Sequence, residues 1–84
     1  MAEIDRVITG IPAWLMQRYV ESAGGVERDG RLVGDGWTVT LSAAPDHVVG
    51  SLRVGQVRLR IDGTDDGVAA AWDALEPKLL RAGG

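Results

Sequence analysis

The chain has 84 residues, a formal net charge of −3 and no cysteine. One domain over residues 1–84 is expected, with a small core that removes about 60–65% of the unfolded chain's surface from water. Disulfides, thiolate metal sites and thiol catalysis are excluded. The acidic balance argues against nucleic acid as the main partner, because phosphate binding needs a basic surface.

No apolar run reaches the ~20 residues of a membrane span. Residues 1–10, MAEIDRVITG, lack the basic start and apolar stretch of a signal peptide, so a soluble cytoplasmic protein is expected. A core this small makes homodimerisation a natural supplement. Eight of the nine basic residues are arginine, which reflects genome composition as readily as surface chemistry.

Ile4–Thr9 reads as a short strand, broken by Gly10. Ile11-Pro12 opens a helix, because proline in the first turn loses no needed donor and presets φ. Over residues 11–23 that helix places Leu15, Tyr19 and Val20 on one side, with Met16 and Ala23 flanking. Gly24-Gly25 supplies the left-handed stop. From Val26 to Gly36 two readings stand: one irregular strand over Glu27–Val33, or a small ribbon turned at Asp29-Gly30. In both, Asp35-Gly36 turns the chain into the next strand.

That strand opens the stretch Trp37–Gly63, which organises the rest. Trp37, Val39 and Leu41 alternate with Thr38, Thr40 and Ser42; Val57, Leu59 and Ile61 alternate with Arg58, Arg60 and Asp62. Period two sends each set to one face, so both segments read as half-buried strands. Between them the apolar phase is even at Leu52 and Val54, then odd from Val57. A shift of one at Gly55 signals a turn or a bulge. A hairpin turning at Gly55-Gln56 is expected, giving three antiparallel strands in this stretch.

Thr64 then caps a second helix, with Asp65 and Asp66 where the helix dipole favours anions. Val68, Trp72, Leu75 and Leu79 form its apolar stripe, and Pro77 predicts a kink or restart at Glu76-Pro77. The order is β-α-β(4)-α. The expected fold class is α+β: an antiparallel sheet with two helices on one face and the other face open.

The open face is the leading candidate for binding. It should carry Thr38, Thr40, Ser42, Arg58 and Arg60, with Arg53 joining them if the chain turns at Gly55. Arginine forks suit carboxylates and phosphates, so a protein partner or a small anion is the expected ligand. The same residues would also simply keep an exposed sheet soluble.

Elsewhere the chemistry is thin. His47 beside Asp46 lacks a nucleophile, so no catalytic group is assigned and the chain reads as non-enzymatic. Residues 62–67, DGTDDG, echo a calcium loop but place Thr64 at its third position and Asp73 at its twelfth; a turn and a helix cap explain them, and neither metal nor cofactor is expected. Trp37 and Trp72 fall in phase with the core stripes, leaving Trp14 as the tryptophan to look for at a contact surface. Gly83-Gly84 matches the unbranched tail that ubiquitin-like sulfur carriers thread into an activating enzyme. Such carriers begin with a hairpin, whereas this chain begins strand–helix, and two glycines also stop a helix.

Residues 50–59, GSLRVGQVRL, and Ile61-Asp62-Gly63, following Gly36-Trp37, resemble the C-terminal domain of prokaryotic proteins related to the molybdopterin synthase small subunit. The element order is similar to the TATA-box-binding-protein-like fold. The resemblance implies an accessory domain standing without its ubiquitin-like half, linked to molybdopterin or sulfur-transfer biosynthesis. It transfers no functional residue, and the fold label does not imply DNA binding.

Overall fold

The computed structural model describes the backbone of residues 1–83 and the side chains of residues 1–80. The elements are β1 (Ala2–Thr9), α1 (Ala13–Ser22), β2 (Val26–Arg28), β3 (Arg31–Gly34), β4 (Trp37–Val49), β5 (Leu52–Gly63) and α2 (Asp65–Gly83). The strands form one sheet in the order β1-β5-β4-β3-β2, every neighbour antiparallel. Two helices on a five-stranded antiparallel sheet make an α+β architecture.

Leu32, Trp37, Val39, Val57, Leu59 and Ile61 form the sheet's share of the core. Register places Leu32 opposite Val39 and Val39 opposite Ile61, so these side chains share one face. Met16 and Val20 of α1 and Val68, Ala71, Leu75 and Leu79 of α2 pack on that face. On α1 the buried stripe is turned slightly from the expected one: Met16 and Val20 are fully buried, Leu15 and Tyr19 only partly.

The helix ends follow from local chemistry. Pro12 stands at the N-cap of α1 in an extended conformation rather than inside its first turn. At the other end the Gly25 N–H donates to Val20 O and the Gly24 N–H to Glu21 O, both at 3.0 Å, with Gly24 left-handed at φ 105°. This is a complete Schellman stop. The Thr64 hydroxyl accepts from the Gly67 N–H at 3.0 Å and caps α2. Of the kink or restart expected at Pro77, the restart does not occur: α2 is one continuous helix. The carbonyl that loses its donor there belongs to Asp73, an exposed residue, where solvent can supply a donor.

Residues 26–36 resolve as the ribbon. Asp29 and Gly30 both have positive φ, 51° and 79°, as a type I′ turn requires. Asp35-Gly36 then turns β3 into β4.

The expected turn at Gly55-Gln56 is replaced by a longer hairpin. β5 runs through both residues, and the chain reverses at Gly50-Ser51, where Gly50 has φ 60°. The phase shift lies in the opposite strand. Ala44 pairs with Gln56 and His47 with Val54, so Pro45 and Asp46 together face Gly55 in a β-bulge. The stretch therefore holds two long strands, not three. Leu52 and Val54 misled the pattern because they lie on the open face, beyond the helices, where apolar residues no longer report burial.

The candidate binding face of the sheet

Alternation through Thr38, Thr40 and Ser42 of β4 and Arg58 and Arg60 of β5 puts all five on the face opposite the core. Thr40 is directly opposite Arg60, and Ser42 opposite Arg58. β1 adds a third row: Asp5 lies opposite Arg60 and Val7 opposite Arg58, with Glu3 opposite Asp62.

The arginines pair diagonally across this face. Arg58 Nε donates to Asp5 Oδ1 at 3.0 Å, and its Nη2 donates to Asp5 Oδ2, a bidentate fork. Arg60 Nη2 reaches Glu3 Oε2 at 3.0 Å, and its Nε lies 3.4 Å from Asp62 Oδ1. The Asp5 and Glu3 links each span one rung, the diagonal reach that long side chains have on a pleated surface, and Asp62 is two residues along the same strand. Arg58 holds the Asp5 carboxyl below the ordinary carboxylate range, first through the hydrogen bond and then through its charge, against the pull of desolvation. The hydrogen bond to Asp5 in turn raises Arg58. Arg60 is raised mainly by the charges of Asp62 and Glu3. Two guanidiniums thus meet three carboxylates, and this part of the face carries no excess positive charge.

Arg53 does not join them. With no turn at Gly55, alternation along β5 places Arg53 on the same side as Val57, opposite to Arg58 and Arg60. It borders a cavity of about 380 Å³ with Gly10, Ile11, Pro12 and Gly55 instead.

Two basic residues that the pattern did not single out do lie on the open face. Arg28 and Arg31 are directly opposite one another across the β2–β3 turn, and Leu32 beside them points to the core. The signal was the Asp29-Gly30 pair: read as a two-residue turn, it forces its flanking arginines into register.

The other candidates separate. His47 is exposed, faces Val54 across the ribbon, and its side chain makes no hydrogen bond among the described residues. The DGTDDG loop packs against the preceding turn: the Thr64 N–H donates to Gly36 O at 2.9 Å, and a Cβ on Gly63 or Gly67 would collide with that carbonyl. Among the described residues no group of three or more metal-ligating side chains converges. No described helix is long and apolar enough to cross a membrane. Trp37 is buried, Trp72 half-buried beneath Arg6, and Trp14 is 62% exposed with Arg18 over its ring. Gly83 closes α2, and Gly84 lies outside the described residues.

The family model for archaeal MoaD-like proteins matches residues 4–84. The chain belongs to that family. No curated protein matches it. Membership in a MoaD-like family connects the chain to sulfur-carrier-like or molybdopterin-related domains, and such domains meet protein partners.

Proposed function

We propose that this chain is a small, non-catalytic accessory domain of molybdopterin or sulfur-transfer biosynthesis, a single unit over residues 1–84, which binds a protein partner through the open face of its sheet. The observation that carries the reading is the uncovered face itself. Both helices pack on one side of the sheet, and the other side presents Thr38 and Thr40 beside the ion-paired Arg58 and Arg60. Past the bulge the same face continues onto a two-stranded ribbon with exposed Val49 and Leu52. Polar rows beside an apolar tip suit a protein surface better than a small ligand. The element order β-α-β(4)-α supports the finer assignment to a TATA-box-binding-protein-like fold.

The test is calorimetric titration of the chain against the molybdopterin synthase of the same organism. Replacing Arg58 and Arg60 with Ser should weaken binding about tenfold or more. Unchanged affinity in a correctly folded double variant would remove the face from the interaction.

The family also supports a second reading, a sulfur carrier or modifier acting through Gly83-Gly84. It predicts that one residue added after Gly84 abolishes adenylation by a cognate activating enzyme. Against it stands the helix: α2 runs to Gly83, where a carrier tail would need extended chain.

A further inference from the structure

The open face is electrically uneven. Its β1–β5 side supplies each arginine with a carboxylate. Its β2–β3 side does not: among the described residues neither Arg28 nor Arg31 has a carboxylate oxygen within 4.0 Å. Both are exposed, and they are direct cross-strand neighbours. Like charges in that position destabilise a ribbon unless something negative sits between them. The turn brings one carboxylate, Asp29, to the rim of the same groove, where it forms no ion pair.

The groove against these arginines is lined by Arg28, Asp29, Arg31, Val33 and Thr38. A neighbouring groove shares Arg31 and Thr38 and adds Met1, Thr40, Arg60 and the Asp62 carboxylate. Two exposed guanidiniums and a hydroxyl thus line one groove. A carboxylate has two oxygens to offer such a set, whereas a phosphate has three or more, which satisfies two forks and a hydroxyl together.

We propose that the β2–β3 end of the open face is a binding site for a phosphate group carried by a small molecule, held by Arg28, Arg31 and Thr38. The site shares a face with the reading above, yet it needs no protein partner, so the two can fail separately.

The test is titration of the folded chain with inorganic pyrophosphate at low ionic strength, followed by amide and arginine Nε–H resonances, with inorganic phosphate and acetate as comparison arms. Saturable shifts at Arg28, Arg31 and Thr38 are expected with phosphate and pyrophosphate. Replacing Arg28 and Arg31 with Ser should weaken them about tenfold. Replacing Arg58 and Arg60 with Ser should change the affinity by less than about twofold. Pyrophosphate should also raise the wild-type melting temperature and leave that of the Arg28/Arg31 variant unmoved. Absence of saturable shifts, equal losses in the two double variants, or equal binding of acetate would each overturn the proposal.

Discussion

The indole of Trp37 lies over Gly34, its direct partner across the β3–β4 turn, and fills the space that a Cβ would take. Glycine here is a matter of room rather than of backbone, since Gly34 is not among the residues with positive φ. Gly34→Ala should push the indole out of its seat and destabilise the fold by about 1–3 kcal/mol, as overpacking does. Urea denaturation followed by tryptophan fluorescence reads both the lost stability and the altered environment of the ring.

The hydrophobic ledger sits on β4 and β5 only as far as the helices reach. Leu59 is 1% exposed and Leu52 is 68% exposed, on the same strand. Leu59→Ala should cost about 2–5 kcal/mol. Leu52→Ala should change stability by no more than about 0.5 kcal/mol. Chemical denaturation of the two variants side by side checks the boundary of the core.

The Asp5–Arg58 pair predicts a sign for the acid limb of stability. The folded carboxyl titrates below its unfolded value of about 3.9. Its contribution is therefore present above about pH 4 and disappears as pH falls through the folded value. In a carboxyl-detected NMR titration, Asp5 should show a depressed midpoint, and Arg58→Gln should move it upward to the ordinary range. A midpoint unchanged by that substitution would mean the fork does not persist in solution.

One side chain links the bulge to β1. Gln56 Nε2 donates to Pro45 O at 3.2 Å, and Gln56 Oε1 accepts from the Thr9 hydroxyl at 3.3 Å. Gln56→Ala should cost about 0.5–1.5 kcal/mol. Its amide shift changes should concentrate at Thr9 and Pro45–His47 and fade toward the core.

Most of this architecture is legible in the sequence wherever one face of an element is buried. Val39, Leu59 and Ile61 announce themselves by period two because the helices lie over them. Past the bulge that coupling between pattern and burial ends, so the pattern points to a hairpin at Gly55-Gln56, five residues beyond the turn at Gly50-Ser51. Pro77 predicts a kink or restart from its covalent chemistry, and α2 runs on through it at a point where Asp73, four residues back, is exposed. At the site, alternation finds Thr38, Thr40, Arg58 and Arg60, yet says nothing of what they touch. Asp5 and Glu3, which pair with Arg58 and Arg60, come from β1, more than fifty residues away, and no local pattern reports a pairing across that distance.

Strand order also bears on how the chain assembles. β2 through β5 follow one another as a meander, each strand beside the next in sequence, so three hairpins can close from short loops. β1 is different: Ala2 must find Gly63, and the loop between them is most of the chain. Closing it costs more entropy, and long-range pairings of this kind slow folding. During synthesis β1 emerges well before the strand it pairs with, and until it docks, the flank of β5 and the Asp5 and Glu3 carboxylates that meet Arg58 and Arg60 remain apart.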